Sequence, residues 1–483
     1  MNFRMIFKRL GVVLFIEAAC MVPSLVVSLI YRQDDVKSFL LSILILLVFG
    51  LGLYLIKPVT TNIYTRDGFA IVALGWLMVS FFGALPFVIS GAIPSIMDAL
   101  FESISGFTTT GASILREIEG LPKGILFWRS FTHWMGGMGV LVLTLAILPS
   151  AKANSLHIMK AESPGPNPGK LVPKIGQTVK ILYGIYIILT VVHVVFLLTA
   201  GMSLYDSFIH AFGSAGTGGF SNRNTSVAAF NSAYVDIIIT VFMLLFGINF
   251  TLYYQIFKGN FKSILQDEEL RFYVGTVVAA IILVTLNING KVFYSIWESI
   301  RYSAFQVGSI ITTTGYATTD FNLWPVFSKC ILIMLMFIGA SAGSTGGAIK
   351  CIRILLLVKV IRREIAKIIH PRSVYTVKVG GRMIEEETLS GVMAFFFLYI
   401  LIFAASVLVV SLDGIDIVSS VTSVIATIGN IGPGLGIVGP IGNYADFSVI
   451  SKAVLSICMI IGRLEIYPVL LLFAPTFWRR VNI

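Results

Sequence analysis

TTTGYAT, residues 312–318, decides the fold of this 483-residue chain, because variants of it recur at a wide and nearly regular spacing. FTTTGAS stands at 107–113, GTGGFS at 216–221 and GNIGPGLG at 429–436. Taking Gly111, Gly219, Gly315 and Gly432 as equivalent gives separations of 108, 96 and 117 residues. Such a period is too long for a solenoid repeat. It suits a duplicated membrane hairpin, since an apolar run and a short amphipathic segment precede each turn and a second apolar run follows it.

Composition points the same way. The chain is 57% hydrophobic and 12% charged, a balance that requires lipid as solvent. Runs near or above the roughly 20 residues that span a hydrocarbon core fall at 10–30, 39–56, 69–91, 125–148, 180–200, 235–257, 272–288, 326–357, 388–411 and 449–473. The first keeps Glu17 and lacks a small-residue cleavage site, so it reads as a span and not a secretory leader. A net charge of +11 would suggest nucleic acid in a soluble protein. With the N-terminus inside and the spans alternating, however, Arg4, Lys8, Arg9, Lys57, Arg66, the lysines from Lys152 to Lys180, the run from Lys350 to Arg382, and Arg479 with Arg480 share one side. Positive-inside bias explains that and puts both termini in the cytoplasm. Cys20, Cys330, Cys351 and Cys458 lie in or beside apolar runs without paired spacing. They read as packing residues, not as a disulfide or metal framework.

The segments before the turns, such as PSIMDALFESISGF (94–107) and SLYDSFIHAFGSA (203–215), are too short to cross a bilayer. Four such half-membrane helices with converging C-terminal ends would aim partial negative charge at one centre and favour a cation there. The turns then supply backbone carbonyls, and glycine permits the positive φ that keeps successive carbonyls aligned. No formal charge is needed to replace the shell of a weakly hydrated ion. Asp98 and Asp206 each precede their glycine by 13 residues, in the first turn of such a helix. There a carboxylate caps the helix or joins a ring at the outer entrance, and Tyr302 at the same offset in the third repeat favours the cap.

Together with FWRSFTHWMGGMG (127–139), GASAGSTGGAIK (339–350) and IGRLEIYP (461–468), the turns resemble the Trk, Ktr and HKT superfamily of potassium transport subunits. The extra N-terminal pair of spans is most similar to its TrkH branch, and the resemblance covers essentially the whole chain. It implies an all-α polytopic membrane protein with four pseudo-symmetric helix–pore-loop–helix repeats around one pore, plus two extra N-terminal transmembrane helices. It further implies potassium uptake across a bacterial inner membrane, a homodimer, and a cytoplasmic nucleotide-binding regulatory ring of the TrkA type. Potassium is then the transported ligand, no cofactor is covalently held, and any nucleotide belongs to that separate subunit. The family's filter maps onto Thr108, Thr109, Thr110 and Gly111, onto Gly216, Thr217, Gly218 and Gly219, onto Thr312, Thr313, Thr314 and Gly315, and onto Gly429, Asn430, Ile431 and Gly432. Asn430 and Ile431 stand where the first and third turns carry threonine, which loosens the expectation of strict preference for potassium over sodium.

The run from 326 to about 361 would be about 54 Å long as one helix, far more than a bilayer needs. Its middle holds Gly339, Ser341, Gly343, Ser344, Thr345, Gly346 and Gly347, a composition that disfavours continuous helix. Irregular backbone at membrane depth is tolerated where it lines a water-filled path or is buried in protein, so an intramembrane loop beneath the turns is expected. The resemblance assigns this loop as the gate; a helix interface of small residues is the other reading. Arg463 falls near the bilayer midplane, at a cost of at least about 2.5–3.5 kcal/mol unless it faces water or a partner. Glu465 does not share its helix face, and the resemblance makes Arg463 an electrostatic barrier below the filter. Lys350 either assists the gate or snorkels to the cytoplasm.

Residues 359–387 join a basic helical stretch to a hairpin pattern around Gly380 and Gly381. Such a protrusion suits anionic lipid or a docking partner, and the resemblance favours the partner. The expected organisation is an N-terminal two-helix hairpin (1–66), repeat one (67–152), a Pro- and Gly-rich cytoplasmic linker (153–178), repeat two (179–260), repeat three (261–360), the basic protrusion (361–387) and repeat four (388–483). An enzyme is not expected. G-x-S-x-G around Ser341 lies in an apolar run with no strand for a nucleophile elbow, and Gly434, Gly436 and Gly439 match G-x-G-x-x-G without a βαβ unit. His133, His193 and His210 read as satisfied polar residues. A sodium- or proton-coupled symporter and a less selective monovalent cation channel are the alternatives to a potassium-selective path.

Overall fold

Lipid offers no partner to a free backbone N–H or C=O, so apolar runs become helices wherever the chain allows it. The computed structural model describes residues 1–58, 60, 64–147 and 175–478. Among them, six helices are long and apolar enough to cross a membrane: Phe3–Ile30, Val36–Tyr54, Arg66–Ile89, Val179–Thr199, Glu268–Ile288 and Glu386–Asp413. Lys123–Ile147 adds a helix of 25 residues. The linker at 153–174 and its lysines lie outside the described residues, as do Arg479 and Arg480.

The other three expected spans are not continuous. The run 235–257 bends by 91° between Ala233–Phe246 and Phe250–Phe257. Asn249 causes the restart: its side chain accepts from Thr251 N at 3.0 Å and so caps the second piece. The run 326–357 stops at Ile338, where Gly339 takes φ 74°, and resumes only at Cys351. The last run breaks after Leu464 because Glu465 and Ile466 adopt φ of 60° and 68°. Tyr467–Phe473 then begins a new helix with Pro468 in its first turn, where the missing N–H costs nothing.

Four shorter helices, Ile96–Phe107, Leu204–Gly216, Ile296–Ile311 and Ile417–Ile428, contain 12, 13, 16 and 12 residues. At 1.5 Å per residue they reach about 18–24 Å, short of a hydrocarbon core of about 30 Å. Ser95, Ser203 and Asp416 cap three of them by accepting from Asp98 N, Asp206 N and Ser419 N. Asp98 and Asp206 occupy first turns and find local donors, Asp98 in Lys452 Nζ at 2.6 Å and Asp206 in Asn222 Nδ2 at 2.6 Å. In those first turns a carboxylate favours the helix dipole; Asp98 is ion-paired with Lys452, while Asp206 takes a hydrogen bond from a neutral amide.

On the opposite side from these caps, Lys378–Val379 pairs antiparallel with Arg382–Met383 through Gly380 and Gly381, both at positive φ as a type I′ turn requires. Glu268 ties this hairpin to the start of a membrane helix, accepting from Gly380 N at 3.1 Å and pairing with Lys359. All four cysteines are free.

Candidate functional site

Each short helix ends in the same way. Thr109, Thr217, Thr313 and Asn430 have φ of 54°, 56°, 59° and 53°. Their N–H groups reach back to Gly106, Ser214, Ile310 and Thr427 carbonyls, while the next residues, Thr110, Gly218, Thr314 and Ile431, donate to Ser105, Gly213, Ser309 and Ala426. This is a Schellman cap repeated four times. Glycine usually fills its left-handed position, and a side-chain residue there costs about 1–2 kcal/mol. Four such residues in register mark a strained segment whose surroundings hold it in place.

Those surroundings are visible. Thr108 and Thr312 hydroxyls donate back to Ile104 and Gly308 carbonyls and share hydrogen bonds of 2.8 and 2.7 Å with Thr110 and Thr314 hydroxyls. Asn430 Nδ2 donates to Thr110 Oγ1 and Met459 O, both at 2.9 Å, lacing the fourth turn to the first and to the last long helix. Gly111, Gly219, Gly315 and Gly432 follow at φ of 79°, 78°, 81° and 95°. A methyl group built on Gly111 would overlap Gly218 O, one on Gly219 would overlap Thr314 O, one on Gly315 would overlap Ile431 O, and one on Gly432 would lie 2.7 Å from Thr110 O. The four turns therefore close a ring in chain order, each glycine pressed against the carbonyl that precedes the next glycine.

The ring is rich in unclaimed oxygen. Among the described residues no donor reaches the carbonyls of Thr109, Thr110, Thr217, Gly218, Thr313, Thr314, Asn430 or Ile431, and all eight residues are buried. Buried carbonyls normally find a partner, so two successive free carbonyls in each of four adjoining turns mark the ring as a candidate cation site. No group of three or more His, Cys, Asp or Glu that could hold a metal occurs among the described residues; the oxygens here are uncharged. Above the ring a cavity of about 130 Å³ opens, lined by the same four glycines with Arg116, Arg129 and Arg223 nearby. The fourth turn departs from the others, since Tyr444 Oη donates to Gly432 O at 2.7 Å.

Beneath the ring lies the segment 339–350. Gly347 N donates to Thr313 Oγ1 at 2.7 Å and Ala348 N to Gly429 O at 3.0 Å, so the segment touches the third and fourth turns from below. Ser341 N donates to Gly247 O at 3.1 Å, and Phe250 N to Gly343 O at 3.0 Å, which anchors it in the bend of the second repeat. Glu269 Oε1 accepts from Ala342 N at 2.6 Å. Ser344 Oγ donates to Ser341 O at 2.6 Å, and Gly346 N to Ser344 Oγ at 3.3 Å. Lys350 is buried with its ammonium on Gly346 O, so it stays inside the segment and does not snorkel.

Arg463 reaches across this space. Its guanidinium donates to Thr345 O at 2.8 Å and to Gly136 and Gly137 carbonyls on the far side. Glu465 pairs instead with Arg353. Arg463 thus clasps the intramembrane segment to the first repeat while its charge meets carbonyls only.

Three features behind the ring were not read from the sequence. Arg129 and Glu102 form an ion pair with side chains only 2% and 0% exposed; Glu102 also accepts from Ser113 Oγ and Ile114 N, and Arg129 donates to Ser221 O. An ionisable residue inside an apolar stretch is the signal that points to such a pair. Second, His133 packs its ring against Gly218 and Phe220, with both nitrogens unpartnered among the described residues, and His193 does the same on Phe242. Only His210 is satisfied, by Asp206 O and Ser221 Oγ. The other two lie against aromatic rings instead. The third feature is the anchoring of segment 339–350 by Gly247 and Glu269. Removing one member of a buried ion pair costs about 3–5 kcal/mol, so Arg129→Met should sharply lower the thermal stability of the detergent-solubilised protein, and adding Glu102→Gln should recover part of it. A single variant melting with the parent would show that the pair does not brace the ring.

The fold defines a helical membrane protein whose four repeats bring four glycine-bearing turns into one ring, with an irregular intramembrane segment packed against it. The family model described as a cation transport protein, TrkH, matches residues 36–480. The chain is 38% identical to the Trk system potassium uptake protein TrkH of Escherichia coli K12 over 484 residues, 99% of this chain and 100% of that one. It is 34% identical to TrkG of the same organism over 99% of both chains. The crystal structure of the potassium transporter TrkH from Vibrio parahaemolyticus superposes with a TM-score of 0.90 at 36% identity, covering 99% of this chain and 100% of that one. This chain belongs to the TrkH family of cation transport proteins.

Proposed function

We propose that the chain takes up potassium across the bacterial inner membrane, through the ring formed by its four turns, as the membrane subunit of a Trk system. The observation that carries this is the set of eight buried carbonyls that no donor reaches among the described residues, flanked by glycines that let the four backbones meet. Relatives named as potassium uptake proteins match over nearly the whole length, which supports potassium as the ion. Thr108 to Gly111, Gly216 to Gly219, Thr312 to Gly315 and Gly429 to Gly432 act as the filter. The segment from Gly339 to Gly347 with Lys350 acts as the gate, and Arg463 as the barrier beneath it. Both termini lie in the cytoplasm, on the side of the basic hairpin. There the hairpin and the helix Cys351–Ile369 receive a nucleotide-binding ring of the TrkA type, and the membrane subunit pairs as a homodimer. The nucleotide belongs to that partner.

Uptake of potassium, rubidium, sodium and lithium into liposomes holding the purified chain tests the reading. Potassium and rubidium should enter well ahead of sodium and lithium, and Gly315→Ser should abolish that selective entry. Equal entry of all four ions, unaffected by Gly315→Ser, would remove the ring as the selecting element.

A further inference from the structure

A cavity of about 90 Å³ lies away from the ion path, lined by Val13, Ile16, Glu17, Trp76, Phe107 and Gly136 among others. Its walls are almost wholly apolar, yet two of its lining residues carry unsatisfied polar groups. Glu17 is buried with neither carboxyl oxygen partnered among the described residues, and the buried Trp76 Nε1 lacks an acceptor. Ile16 and Cys20, also in the lining, are partly exposed on the outer face of the first helix, which opens the cavity sideways. The arrangement has no place in the proposed ion path, because a barrier residue and a filter need nothing from Glu17.

Leaving a buried carboxyl and indole N–H without partners is expensive, while an apolar cavity beside them stays dry unless an apolar ligand fills it. A ligand with one alkyl chain and an uncharged hydroxyl meets all three needs: the chain fills the cavity, the hydroxyl donates to Glu17, and its oxygen accepts from Trp76 Nε1. An ammonium head would leave the indole unanswered, and a carboxylate head would carry an unpaired charge into an apolar cavity. We propose that this cavity is a binding site for a single-chain amphiphile with a hydroxyl head group. Its inner wall is Phe107, the last residue of the first short helix, and Gly136, whose carbonyl receives Arg463. A ligand there bears on the ring and on the barrier from behind.

Photolabelling of the full chain in nanodiscs with a diazirine-bearing octanol, followed by peptide mapping, tests the site. Adducts should concentrate on residues 13–20 and on Trp76 over those on the lipid-facing helix Glu268–Ile288. Glu17→Leu should lower them by about fivefold, roughly the factor that one lost hydrogen bond is worth, and Glu17→Gln should retain them. Adducts on Glu268–Ile288 should match the parent in both variants, which reports an intact fold. Adducts at 13–20 no denser than those on Glu268–Ile288, or unchanged by Glu17→Leu, would overturn the proposal and leave Glu17 to bridging water. Mass spectrometry of lipid extracted from the purified parent separates the two sources: a hydroxyl-headed lipid lost in Glu17→Leu is a resident of the membrane, and one seen only after added octanol is taken from solution.

Discussion

Arg463→Ala should raise potassium flux through the partner-free protein in liposomes by about tenfold or more. A unit charge roughly 7 Å from a passing monovalent cation costs it about 2 kcal/mol at an effective dielectric of about 20, and about 1.4 kcal/mol is worth a factor of ten in rate. Nothing among the described residues offsets that charge, since Thr345, Gly136 and Gly137 offer only carbonyls and Glu465 is engaged with Arg353. The clasp has a mechanical side too, because it joins the intramembrane segment to the first repeat. Arg463→Lys separates the two effects: it keeps the charge but loses the planar fork that spans two carbonyl groups. With charge dominant, the lysine variant should stay close to the parent and the alanine variant alone should leak. Unchanged flux in a monodisperse alanine variant would sink the barrier role.

Why Arg463 was legible and its partners were not is instructive. A cation in the middle of an apolar run announces itself, since composition alone prices it out of lipid. Its acceptors are backbone carbonyls of Gly136 and Gly137, more than three hundred residues away, and any residue type carries a carbonyl. The four turns were legible for the opposite reason: positive φ at Gly111, Gly219, Gly315 and Gly432 selects glycine, so geometry left a mark in composition. The break at Gly339 was visible in the same way. The 91° bend at Gly247–Asn249 was not, because hydropathy integrates along the chain and is blind to its direction. Asn249 was the available sign, a capping residue in the middle of an apolar run. Glu102 and Arg129 stood in plain view, but their pairing joins a short helix to the long one after it, a contact that no periodicity encodes.

Alanine at each ring glycine should give a graded result. Gly111→Ala, Gly219→Ala and Gly315→Ala should abolish selective rubidium uptake, whereas Gly432→Ala should retain part of it and lose preference over sodium. Left-handed backbone alone does not explain so large a loss, because Thr109, Thr217, Thr313 and Asn430 already sit at such angles with side chains attached, at about 1–2 kcal/mol apiece. The difference is what the new methyl meets. At the first three positions it falls inside the carbonyl of the neighbouring turn, on Gly218, Thr314 and Ile431, and at Gly432 it stays 2.7 Å from Thr110 O. A backbone carbonyl in a turn whose N–H groups are tied into a Schellman cap cannot swing away as a flexible side chain could, and interiors packed at native density transmit such a displacement instead of absorbing it. The first three substitutions therefore push a ring oxygen off its position, while the fourth has about 0.6–0.8 Å less to clear. Parent-like rubidium uptake by Gly111→Ala, Gly219→Ala and Gly315→Ala, with the protein folded as judged by its melting profile, would mean that the turns are not in contact during transport and that the ring seen here is not the selecting state.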